Sequence, residues 1–108
     1  MKEIRAIIRP SRLSQLRNAL HDIPEFFSLV VCKGEGFSTA ISQQHQTVRE
    51  ELTDFTDKIL VMALVNDHLV DIIVDLIVRE CQTGLPHDGV VWVVPVESAY
   101  LIHDKGAL

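Results

Sequence analysis

Cysteine is scarce: Cys32 and Cys81 are the only two in 108 residues, too few for a disulfide framework. Cys32 sits in an apolar run and Cys81 near the end of a helical pattern, so both are expected as buried free thiols in a reducing compartment. Aromatic residues make up 6%, with one tyrosine and one tryptophan, which argues against a binding surface rich in aromatics. No run approaches the ~20 apolar residues of a spanning helix, so direct membrane insertion is not expected. The opening MKEIRAIIRP is broken by charges at Lys2, Glu3, Arg5 and Arg9 and does not read as a signal peptide, so a cytoplasmic location is expected. Lys and Arg total 10 against 15 Asp and Glu, for a formal net charge of -5. That balance excludes non-specific nucleic-acid binding, whose affinity comes from neutralising phosphates. Catalytic patterns are missing as well: there is no HExxH, no CxxC and no nucleophile–base spacing. Cys32 and His45 do not form a recognisable nucleophile–base pair. A small enzyme, such as an isomerase or a mono-oxygenase-like ferredoxin fold, is the last of the readings considered.

What the chain does have is aliphatic: 47% of it is hydrophobic, mostly Val, Ile and Leu, enough for one domain over 1–108 to bury a core. Residues 2–9 mix charge with β-branched isoleucines, as a first strand does. Pro10-Ser11 opens a helix, because proline suits the first turn and serine is a capping residue. Leu13, Leu16 and Leu20 follow at helical spacing, to an end near His21–Pro24. Residues 26–32 (FFSLVVC) read as a second strand, broken by Lys33-Gly34-Glu35-Gly36. From Phe37 to about Asp57 no apolar period is sustained, and a loop that long inside a small domain is usually functional. Residues 58–65 (KILVMALV) form an almost continuous apolar strand. Asn66-Asp67 is a helix start signal, and Leu69, Ile72, Ile73, Leu76 and Ile77 then mark a helical face ending near Gln82. Residues 89–96 (GVVWVVPV) make the fourth strand.

The order is β-α-β-loop-β-α-β. It predicts an α+β, ferredoxin-like βαββαβ sandwich with an antiparallel four-stranded sheet and two helices on one face. Two helices cover one face only, yet three of the strands read as apolar on nearly every residue. The second face needs cover, and symmetric self-association supplies it.

Several stretches are similar to those of the PII nitrogen-regulatory signal proteins. MKEIRAIIRPSRLSQLRNAL is close to that family's opening strand and helix. Lys33-Gly34-Glu35-Gly36 resembles the KGFG turn into its long T-loop between strands two and three, and Asp54-Phe55 with Lys58-Ile59 resembles the return. Thr83-Gly84 with Asp88-Gly89 resembles the TGxxGDG B-loop, and Pro95-Val96-Glu97 the entry to the C-terminal segment. The likeness runs nearly the whole chain in order. It implies a homotrimer whose sheets line a central core. It further implies a small-molecule effector, typically ATP or ADP and often 2-oxoglutarate, in clefts between subunits. The T-loop then docks on a membrane transporter, enzyme or regulator.

On this resemblance the effector cleft comprises Gly34, Gly36, Lys58, His87, Asp88, Gly89 and His103, with Lys58 matching a lysine that contacts 2-oxoglutarate. The partner-binding loop includes Phe37, Gln43, Gln44, His45, Arg49 and Glu50. Departures are equally informative. Val90 stands where the family has a phosphate-reaching lysine, His87 where it has glycine, and Leu101 and His103 where it has two arginines. The glutamine that helps hold magnesium and 2-oxoglutarate has no counterpart around Ser38-Thr39-Ala40. Tyr100 is the only tyrosine, so the T-loop has none to modify. A triphosphate needs cationic or N–H donors in place of its hydration, so adenine nucleotide binding is expected to be weak or lost. The alternative is a metal-linked module, in which His45, His87, His103 or the cysteines take a transition metal for heavy-metal transport or homeostasis. Arg5, Arg9 and Arg12 read as ordinary solvated charge.

Overall fold

The computed structural model describes residues 1–37 and 56–108. Along the chain run β1 (Lys2–Ile8), a 3-10 turn (Pro10–Arg12), α1 (Leu13–His21), β2 (Val30–Gly36) and β3 (Thr56–Val65). A second 3-10 turn (Asp67–Leu69), α2 (Val70–Cys81) and β4 (Gly89–Pro95) follow. The strands make one antiparallel sheet in the order β2-β3-β1-β4. This is the ferredoxin-like βαββαβ plan that the element order predicts.

Register decides which residues form the core. Ile4 lies opposite Ala63 and Val93, Ala6 opposite Val61 and Val91, and Ile8 opposite Ile59 and Gly89. Directly opposed residues share a sheet face, and the face holding Ile4, Ala6 and Ile8 is the one the helices cover. Helical spacing brings Leu16 and Leu20 of α1, and Ile73, Leu76 and Ile77 of α2, down onto it. Each such side chain, fully buried, contributes roughly 1.5–3 kcal/mol. Both helices are entered through 3-10 turns without side-chain caps. Pro10 occupies the first turn as its fixed φ allows, but the expected serine cap is absent. At α2, Asn66 contributes its carbonyl, which accepts the Leu69 N–H at 2.9 Å, and not its side chain.

The second strand is displaced from its sequence reading. Residues 26–29 are not strand: Pro24 and the left-handed Glu25 (φ 69°) turn the chain, and Phe26 and Leu29 pack on the core from outside the sheet. His68 Nε2 lies 2.6 Å from Glu25 Oε2 and ties this turn to the approach of α2. Lys33-Gly34-Glu35-Gly36 does not break β2 but completes it. Gly34 pairs with Lys58, Glu35 with Asp57 and Gly36 with Thr56. Ladder bonds are made by the backbone, so glycines at an edge strand do not stop pairing when the partner strand starts early. These last rows extend past the end of β1 as a two-stranded ribbon at the root of segment 38–55.

The other sheet face is uncovered in the single chain. Cys32, Leu60, Ile7 and Val90 form one row across it, and Val30, Met62, Arg5 and Trp92 the next. Val30 is 52% exposed and Val90 54%. Cys32 is exposed too, contrary to the expectation of a buried thiol, because it falls on this face and not on the helix-covered one. Cys81 is buried as expected, and burial pushes its thiol up to about 11, with Arg12 opposing the shift and Glu80 and Asp88 adding to it.

Candidate functional site

At one end of the sheet β1 stops, β4 begins, and the β2–β3 ribbon departs. The loop joining α2 to β4 closes over this end. Between Thr83 and Gly89 the backbone enters the left-handed region three times, at Gly84 (φ 81°), His87 (φ 67°) and Gly89 (φ 125°). Glycine takes such angles freely, whereas a side chain there costs on the order of 1–2 kcal/mol. Histidine therefore sits where this turn would favour glycine. Gly89 has a second constraint: a Cβ at that position would lie 1.9 Å from the Ile7 carbonyl oxygen.

The loop is organised around the Asp88 carboxylate. One oxygen accepts the Thr83 N–H at 2.8 Å and the Gly84 N–H at 3.2 Å. The other accepts the Thr83 hydroxyl and the Arg9 Nε–H, the latter at 3.1 Å. Arg9 also donates through Nη2 to the Pro86 carbonyl at 2.7 Å, so a single guanidinium clamps the loop at two points. Burial pushes the Asp88 carboxyl upward. The Thr83 hydroxyl and N–H, then Arg9 and the Gly84 N–H, outweigh it and hold the group down at about 2. Arg9 is therefore not ordinary solvated charge, and its role goes unseen in the sequence because Asp88 lies 79 positions away. Arg5 is paired as well, to Glu3.

A carboxyl depressed on folding stabilises the chain above its unfolded pKa of about 3.9 and loses that contribution as pH falls toward the folded value. Thermal melting of wild type and Asp88→Asn should therefore differ most above about pH 4 and converge toward pH 2. A gap that stays constant over that window would contradict the clamp.

The expected cleft residues are distributed as follows. Asp88 and Gly89 are at the loop and His87 on it. Lys58 stands roughly 10 Å away, two strand spacings across the sheet, paired with Gly34. Gly36 is farther along the ribbon. Among the described residues a Cβ on Gly34 would meet nothing within 4 Å, and one on Gly36 only the Lys58 side chain at 3.6 Å, so these neighbours do not require either glycine. His103 is reached only after β4 has left this end. β4 runs away from the loop for about 20 Å, and the Val96 N–H reaches the Met1 carbonyl at the far end. His103 then lies in a small hairpin closed by the Tyr100–Ala107 bridge. Phe37 marks the exit from β2. The loop candidates Gln43, Gln44, His45, Arg49 and Glu50 lie outside the described residues.

Beside the loop, the last turn of α2 and the start of β4 flank an open pocket of about 110 Å³. Ile7, Ile77, Val78, Cys81 and Val90 line it, with Asp88 and Gln82. None of its described lining residues is Lys, Arg or His. Among the described residues no three His, Cys, Asp or Glu side chains gather as metal ligands. The metal-linked alternative therefore finds no support. No helix among the described residues is long and apolar enough to cross a membrane.

A small antiparallel sheet with two helices on one face and a clamped loop at the β1–β4 end defines a ferredoxin-like α+β protein. Residues 1–105 match the family described as Nitrogen regulatory protein P-II. The chain is 30% identical to a Nitrogen regulatory protein P-II of Azospirillum brasilense, over 98% of this chain and 96% of that one. It is 33% identical to the protein of that name from Nostoc punctiforme, covering 94% and 91%. A Nitrogen regulatory protein P-II 2 of Methanothermobacter thermautotrophicus is 33% identical, covering 94% and 89%. The chain belongs to the P-II family, whose members are regulatory signal transducers and not enzymes.

Proposed function

We propose that this chain is a cytoplasmic, trimeric signal-transduction protein. It holds a small-molecule effector between subunits, beside the 83–89 loop, and acts on a transporter or other protein through the segment from Phe37 to about Asp57. The uncovered apolar sheet face is the observation that carries this reading. A chain that leaves Leu60, Ile7 and Val90 unpacked on its sheet is completed by copies of itself.

The site's chemistry favours an effector other than ATP. The N–H groups of Thr83 and Gly84 are already given to Asp88, and Arg9 to Asp88 and Pro86. Val90 stands half exposed beside them with no charge to offer. Lys58 remains as a cation without an ion pair among the described residues. It suits a carboxylate-bearing or bicarbonate-like anion better than a triphosphate.

Calorimetric titration with ATP, ADP, 2-oxoglutarate and bicarbonate tests this. Wild type should bind ATP at least about tenfold more weakly than Val90→Lys, because one charge-assisted hydrogen bond in a sheltered site is worth roughly 1.5–3 kcal/mol. Equal and tight ATP binding by both proteins would contradict the weakened nucleotide site. Silence toward every titrant would remove the small-molecule role for these candidates.

A further inference from the structure

We infer that the Glu3–Arg5 pair on β1 selects the orientation in which copies of this chain meet, by exchanging partners with the same pair on a neighbouring copy. The inference rests on the self-association proposed above. β1 is a central strand, and both side chains are on its uncovered face. Glu3 lies opposite Leu64 and Val94, and Arg5 opposite Met62 and Trp92. Strand parity puts only one other charged residue on this face of the paired strands, Lys58 at the loop end. A neutral couple thus sits at the centre of an otherwise apolar surface.

The couple is only partly satisfied. Arg5 Nε donates to Glu3, and among the described residues neither side chain makes another hydrogen bond. A guanidinium has five N–H donors and a carboxylate two acceptor oxygens, so most of their capacity is open. The side chains are still 41% and 22% exposed, so water satisfies them in the single chain. Covering the face removes that water, and an unmet buried charge is strongly unfavourable. The surrounding surface is aliphatic or aromatic and offers no replacement. A second copy does, since its own Glu3 and Arg5 are the complementary acceptor and donor. A partner carrying an excess of one charge would leave half of the couple unmatched. The face is therefore matched to a second copy of this chain, in the rotation that sets Arg5 of one against Glu3 of the next.

The test is subunit exchange between wild type and the doubly swapped Glu3→Arg/Arg5→Glu chain, read by native mass spectrometry. Each protein should assemble with itself, since swapping preserves every pairing within a uniform assembly. Mixed assemblies should be depleted at least about tenfold below the statistical share, because each junction between the two types sets like charges together. Statistical mixing would overturn the inference while leaving self-association intact, and so would a swapped chain that folds yet stays single. Wild type that is itself monomeric would instead sink the self-association reading. Should the swapped chain fail to fold, Glu3→Gln/Arg5→Gln serves. It should associate without loss of affinity but populate more than one oligomeric order, and a single order identical to wild type would contradict the assignment.

Discussion

Gly89→Ala is expected to lose most of its folded population under conditions where wild type is fully folded. Two independent effects act at this position. The backbone sits at φ 125°, outside the regions open to L side chains, so alanine is strained even in free space. There is no free space: the added carbon would lie 1.9 Å from the Ile7 carbonyl oxygen. That oxygen belongs to a central strand fixed by neighbours on both sides, and cannot retreat without disturbing the β1–β4 ladder. The expected cost exceeds about 3 kcal/mol, at the top of the range for single substitutions. Against a typical stability of roughly 5–15 kcal/mol this is a large share. Urea unfolding followed by circular dichroism measures it directly. Gly34→Ala is the control, expected to stay within about 1 kcal/mol, since nothing lies within 4 Å of its added carbon. Equal losses at the two positions would contradict the account.

The second large effect concerns assembly. Leu60 stands on the uncovered face in the row with Cys32, Ile7 and Val90, only half buried in a single chain. Leu60→Lys should leave each chain folded and abolish self-association. In the assembled state the substitution removes roughly 1.5–3 kcal/mol of apolar burial per copy and adds a desolvated ammonium worth several more. Light scattering during gel filtration should show the wild-type mass collapse to that of one chain, with an unchanged far-ultraviolet spectrum. A variant that assembles like wild type would place the contact elsewhere. A variant that unfolds would show that Leu60 supports the core after all.

Periodicity made most of the fold legible. Leu13, Leu16 and Leu20, and Leu69, Ile73, Leu76 and Ile77, repeat as helices must, although Ile72, expected on the same face, points outward and is 51% exposed. The run from Lys58 to Val65 is apolar and bounded by polar residues, as a strand of this length is, but only alternate residues of it are buried. The position of β2 was not legible in the same way. Its apolar stretch, Phe26–Leu29, packs as a connection, while its paired residues include Lys33, Gly34, Glu35 and Gly36. An edge strand held by backbone bonds carries little side-chain signature. Cys32 faces the uncovered side and not the core for the same reason, since a shift of register moves a side chain to the opposite face.

At the candidate site, the glycine and aspartate of the B-loop were visible through resemblance, and the missing lysine and arginines through departure from it. The loop clamp was not. Arg9 and Asp88 meet only because β1 ends where β4 begins, and Thr83 acts through its own N–H as much as its hydroxyl. His87 holds a left-handed backbone angle that the sequence does not announce.

The mass of the untagged chain in dilute solution, by sedimentation or native mass spectrometry at micromolar concentration, bears most directly on the central claim. A species of three times 12.2 kDa is the predicted result. A stable 12.2 kDa monomer, with Cys32 freely reactive to thiol reagents at that concentration, would contradict it.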